Sequence, residues 1–253
     1  VSGQVEAEGD DFDAADFEIE FVDATGSRCR GSLAQCWTVA FEEMPPVRGF
    51  GWSRGQKHFP GWWWSATTDR HVGFESWLER DHAMRLDFDR EVTAFSSQPF
   101  WLYWQVGTRW RRHAPDFFAR LIDGGGVVVD VRPDDRIPDK DAAAFAVTAR
   151  ACDEVGWAFR RLGVVDPVLA ANLRWLSRYR HPRHGARIDL VDQLVRVFAY
   201  PTPLMVGAAR VGDPLAVLPA LFHLLWQQIL AADLDVAVLA GSSIVRAASW
   251  RRP

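Results

Sequence analysis

Lysine is nearly missing from this chain. Of 29 basic residues only Lys57 and Lys140 are lysines, which leaves 27 arginines and just two candidates for chemistry that needs a titratable amine. Cysteine is scarce as well. Cys29, Cys36 and Cys152 are odd in number and lack the spacing of zinc ligands, so neither a disulfide scaffold nor a zinc ribbon is expected, and reduced thiols in a cytoplasm are. The longest apolar run, Leu215 to Ala232, is broken by Pro219, His223, Gln227 and Gln228 and is too polar at its centre for a membrane span. The first residues are acidic, which is not the pattern of a secretory signal. There is no GxSxG motif and no Cys/His nucleophile pairing.

What is present suits a globular protein. The 253 residues are 48% apolar and 13% aromatic, enough for one large domain or two modest ones. The net charge of −4 is unevenly spread: residues 1–23 hold nine of the 33 acids and no Lys or Arg, so the remainder carries 24 acids against 29 bases. A body with a surplus of five positive charges is able to meet a polyanion, although an ordinary solvated surface explains it equally well.

The segment that organises the chain is 113–132. Two apolar runs, about 113–122 and 127–132, flank Gly124-Gly125-Gly126, and the alternation predicts a two-stranded hairpin. Such a hairpin sets Asp116 and Asp130 side by side at one end of a sheet, with Arg132 on the face of Asp130. Two close carboxylates repel unless a divalent cation lies between them, and hard oxygens suit magnesium or manganese. Removing either carboxylate is therefore expected to leave stability unchanged or slightly raised. The Gly-rich turn is not a phosphate cradle, because strands flank it on both sides.

Around this hairpin, Phe17–Val22 and Cys36–Phe41 alternate as a small N-terminal β unit, and the first dozen residues are expected to be disordered. Residues 44–57 form a Gly/Pro-rich connector. Trp62, Trp63 and Trp64 are expected to pack or form a strand, with base stacking as the other use of such a run. Residues 73–89 have helical period, with Phe74, Trp77, Leu78, Met84 and Phe88 as the apolar stripe and Glu75, Glu79 and His82 on a neighbouring face. Val92–Gln105 reads as a strand, 139–155 as a helix stopped by Gly156, and 157–162 as a final strand, an αβββαβ order. Beyond the Asp166-Pro167 cap, helices at 167–179, 188–198 and about 219–231 precede an alternating hairpin, 236–240 and 244–248. Three helices and a hairpin suggest a winged-helix-like module, whose Arg174, Arg178, Arg180, Arg183, Arg187 and His184 suit DNA or a protein partner.

Glu79, then Ala114-Pro115-Asp116-Phe117, then Asp130-Val131-Arg132 resembles the PD-(D/E)xK, restriction-endonuclease-like nucleases, and within them TnsA, the endonuclease subunit of heteromeric transposases. Ser76-Trp77-Leu78-Glu79, Gln98-Pro99-Phe100 and the stretch Asp166 to Leu176 extend the similarity over about 44–180. The resemblance implies an α/β, restriction-endonuclease-like core at 59–165. It is preceded by an acidic tail and β unit at 1–58 and followed by the winged-helix-like domain at 166–253. It further implies a Mg2+- or Mn2+-dependent DNA endonuclease that cuts the 5′ strand ends of a mobile element. Its partners would be double-stranded DNA at the element ends, a DDE transposase and an AAA+ ATPase regulator. Asp116, Asp130 and Glu79 would bind metal, and Arg132, standing where the family has lysine, would stabilise the charged transition state. Glu75, Gln98 and Lys140 are secondary candidates. Arginine stays protonated and cannot act as a base. Two other readings therefore stand beside the first: a DNA-binding or scaffolding subunit without cleavage, and a restriction or phage-defence nuclease on the same fold.

Overall fold

The structure is a computed structural model that describes residues 16–50, 59–135 and 137–248. The expected disorder of the first dozen residues, the 51–57 part of the connector and Lys57 all lie outside the described residues. In chain order, β1 (Glu18–Val22) and β2 (Arg28–Ser32) form a hairpin followed by the single turn of α1 (Leu33–Cys36). β3 (Gly61–Ser65) and β4 (Arg70–Phe74) pair ahead of α2 (Trp77–Phe88). Next come β5 (Val92–Ser97), β6 (Trp101–Val106), β7 (Arg109–His113), β8 (Phe117–Leu121) and β9 (Gly126–Val131). α3 (Asp139–Glu154) then leads to β10 (Ala158–Leu162). The remainder is α4 (Pro167–Leu176), α5 (Ile188–Val197), β11 (Thr202–Pro203), α6 (Leu204–Val211), α7 (Pro214–Trp226), β12 (Leu230–Ala231) and β13 (Ile244–Ala247). This is an α/β fold with mixed sheets. Among the described residues, no single helix is long and apolar enough to cross a membrane.

The chain divides into two compact units, both discontinuous. One comprises the described parts of 1–51 and 93–163, the other those of 52–92 and 164–253. In the first unit, one sheet runs β2-β1-β6-β7 and the other β10-β9-β8-β5. β9 is antiparallel to β8 and parallel to β10, the crossover between β9 and β10 being α3. A closed aromatic core, including Phe41, Phe100, Phe118 and Trp157, draws residues from both sheets. Phe41 meets Phe100, Phe118 and Trp157 edge-on at 4.9–5.7 Å, which adds directional packing to plain burial. β9 is buried at every position, as befits a central strand covered on both faces. Its first residue must be glycine: a Cβ on Gly126 would lie 2.6 Å from Trp157.

The expected single strand over 92–105 is two strands in two sheets. Gln98 takes a positive φ of 47° and Pro99 follows it, so the chain turns out of one sheet and into the other. The hairpin likewise breaks at Ala114–Asp116, leaving β7 in one sheet and β8 in the other, and five strands rather than three separate α2 from α3. Residues 36–41 are not a strand, since Leu33–Cys36 is helical and the strand falls at Arg28–Ser32.

In the second unit the tryptophan run is β3, with Trp63 buried and Trp62 exposed. The expected stripe is only partly interior: Phe74 and Met84 are buried and Leu78 and Phe88 half-buried. Trp77 is exposed and stacks its ring under Arg80 at 4.3 Å, while Asp81, His82 and Asp87 are buried beside Met84. The acids are tolerated there because they are satisfied. Asp81 accepts from Arg80 and Arg174. Asp87 accepts from Trp63 Nε1 at 2.9 Å, Ser65 Oγ at 2.7 Å and the backbone N–H groups of Ala66 and Thr67.

The 236–240 strand is absent as well. The buried side chain of Asn172 donates to the carbonyls of Leu234 and Ala237 and accepts from Leu239 N–H, which holds that segment as a loop; β13 pairs with β11 and β12 instead. α6 is an additional helix, and α7 starts at its Asp213-Pro214 cap, five residues before the expected start.

Candidate functional site

The β8–β9 ladder pairs Phe117 with Val129, and its next step sets Asp116 across from Asp130. Asp116 stands just before β8, where the backbone ladder has ended. Its Oδ2 accepts the Val131 N–H at 2.7 Å, so the side chain continues the pairing that the main chain has left. Its carbonyl oxygen accepts from Gln98 N–H at 2.9 Å, and the Gln98 carbonyl accepts from Val47 N–H. The strained, buried Gln98 thus fixes the backbone on which Asp116 is carried.

Asp130 is almost wholly buried, at 1% exposure. Its partner is a residue the sequence reading passed over. His113, the last residue of β7, places Nε2 2.9 Å from both Asp130 oxygens. The Phe145 ring of α3 meets the imidazole edge-on at 5.9 Å. Cys152, also on α3, lies close enough to feel this charge: burial first, then the negative charges of Asp153 and Asp130, push its thiol far above the usual range, so it is an inert packing residue.

Arg132 leaves β9 with its N–H bonded to the Leu162 carbonyl, and its guanidinium pairs with Asp141 in the first turn of α3 at 3.4 Å. Half of that side chain is exposed. Lys140, next to Asp141, is exposed on the same turn. Arg161, opposite Asp130 on β10, donates to the Arg132 carbonyl and pairs with Asp134 at 2.6 Å. The first unit therefore gathers Asp116, Asp130, His113 and, at the strand exit, Arg132 with Asp141.

Glu79 and Glu75 belong to the other unit. There Glu79 acts as a helix cap: Ser76 Oγ accepts from Glu79 N–H, while the Glu79 carboxylate accepts from Ser76 Oγ at 2.8 Å and from Glu75 N–H at 2.7 Å. Two of the expected DNA-facing arginines also have structural work. Arg180 lies over the Trp63 ring at 4.1 Å and donates to the Trp64 and Ser177 carbonyls, and Arg174 is held on Asp81. Arg178, resting on the Trp175 ring at 5.1 Å, remains a surface cation.

Chemically, two carboxylates opposed across neighbouring strands are donors that a magnesium ion accepts, since that ion commonly takes one or two carboxylates and completes its shell with water and phosphate oxygens. Among the described residues no group of three or more His, Cys, Asp or Glu side chains is placed to hold a metal. Any ion here would therefore rely on Asp116 and Asp130 together with water or substrate oxygens. No family model matches this chain, and no curated protein matches it.

Proposed function

We propose that this protein is a metal-dependent DNA endonuclease of the PD-(D/E)xK kind, acting as a TnsA-like subunit of a heteromeric transposase. The observation that carries the reading is the opposition of Asp116 and Asp130 at the end of β8 and β9, with Arg132 two residues further along the same strand. In that role the two carboxylates hold Mg2+ or Mn2+, which when bound polarises a phosphate oxygen and lowers the pKa of an attacking water. Arg132 supplies fixed positive charge to the developing phosphorane-like oxygens. Double-stranded DNA at the element ends is the substrate, and a DDE transposase and an AAA+ ATPase are the partners.

A second reading, a DNA-binding or scaffolding subunit without cleavage, is favoured by one observation: the Arg132 guanidinium is already paired with Asp141. Strand-specific nicking of an element-end DNA, with partner proteins and Mg2+ present, separates the two. Under the first reading Asp116→Ala abolishes nicking, Arg132→Ala lowers its rate by on the order of a hundredfold, as loss of one preorganised donor does, and Arg132→Lys keeps much of the rate. Undiminished nicking by Asp116→Ala refutes the endonuclease assignment, and undiminished nicking by Arg132→Ala removes that residue from the reaction.

A further inference from the structure

His113 meets the Asp130 carboxylate symmetrically, with Nε2 2.9 Å from Oδ1 and 2.9 Å from Oδ2. An ionised carboxylate only accepts, so Nε2 carries the hydrogen and directs it between the two oxygens. That is the approach a cation uses when it takes a carboxylate through both oxygens. Resting on the metal-site reading above, we propose that His113 is the competitor of the divalent ion at Asp130: the imidazole latches the carboxylate, and an ion has to displace Nε2–H to reach it.

The surroundings favour a latch over a ligand. A ligating His113 would need a lone pair on Nε2, the nitrogen that already donates to Asp130. The ring is braced by Phe145, yet 21% of the His113 side chain is exposed, so it has solvent to turn towards; Asp130, at 2%, has none. Displacement thus moves the histidine and leaves the carboxylate in place. His113 is then a positioning residue that sets how tightly the site holds its ion.

Calorimetry with Mn2+ on the full chain tests this, using wild type, His113→Ala and His113→Phe, the last keeping a ring against Phe145 with no donor. Both variants should bind Mn2+ about tenfold more tightly, because the ion no longer breaks a hydrogen bond to a charged group. Mn2+ should also raise the melting temperature of the variants more than that of wild type. Neither substitution should change Mn2+ affinity once Asp130→Asn is present. Equal or weaker binding by both variants overturns the latch while leaving the metal site standing, and weaker binding would make His113 a ligand. Absence of Mn2+ binding in wild type and variants alike at millimolar concentration overturns the latch and the metal site together.

Discussion

Replacing Asp130 should destabilise the protein, against the expectation that relief of carboxylate repulsion would leave it unchanged or firmer. The structure supplies the magnitude. Asp130 is buried and its two oxygens share the His113 N–H, a bond to a charged group of the class worth about 1.5–3 kcal/mol. Asp130→Ala removes that bond and opens a small cavity at a buried position, which together put the loss at about 3 kcal/mol. Repulsion from Asp116 is the opposing effect. It is weakened because Asp116 accepts the Val131 N–H and Asp130 faces an imidazole, so each carboxylate has its own partner. Asp130→Asn keeps one acceptor oxygen and should lose only about half as much. At about 2–4 °C per kcal/mol for a protein of this size, the Ala variant should melt about 6–12 °C lower. Calorimetric melting of wild type, Asp130→Ala and Asp130→Asn without divalent ions measures this. An Ala variant that melts at or above wild type would show that repulsion dominates, and the reasoning from His113 would fail.

Glu79→Gln separates the cap from a metal role: a cap alone predicts a loss of about 0.5–1 kcal/mol in stability with Mn2+ affinity unchanged, whereas a lowered affinity would place the residue on the ion. Acid should weaken the second unit through His223 and His184. Burial first of all holds both below the ordinary value of 6.5; positive charge from Arg183, His223 and His181 lowers His184 further, while for His223 the Nδ1 contact to the Tyr179 carbonyl offsets part of the shift and His181 adds to it. A depressed histidine means that the unfolded chain takes up protons the folded one refuses, so stability is flat above about pH 7 and falls as pH drops below 6.5. Urea unfolding at pH 7.5 and 5.5 should show a larger acid loss for wild type than for His223→Gln; equal losses would refute the assignment.

The elements that could be read from the sequence are those whose causes are local. The helix 139–154 ends where Gly156 adopts a φ of 73°, and α4 begins at Asp166, whose carboxylate accepts from Val168 and Leu169 N–H. The strand 126–131, apolar except for Asp130, follows the Gly-rich turn and is buried at every position, as a strand covered on both faces is. Two of the misreadings have a different cause, a polar side chain whose partner lies far along the chain. Nothing near Asp81 announces Arg174, 93 residues later, and nothing near Leu239 announces Asn172, 67 residues earlier. The stripe drawn through Trp77 leaves out Asp81 and Asp87, which are interior because arginine, indole and backbone donors converge on them.

The site divides in the same way. Asp116 and Asp130 could be placed opposite each other because strand alternation and a Gly-rich turn suffice to set a register. His113 could not, because its approach to Asp130 depends on a break that the alternation hides. The apolar-polar pattern runs on from 113 into 117–121, yet β7 pairs with β6 in one sheet and β8 with β9 in the other. A hairpin strand continuous from 113 to 122 would have carried His113 along the ladder, past the end of β9. Because the chain instead changes sheets over Ala114–Asp116, the last residue of one sheet is folded back onto a carboxylate of the next. The three residues that break the strand therefore do two things at once: they put Asp116 at the mouth of the β8–β9 pair, and they bring an imidazole to the buried carboxylate of Asp130.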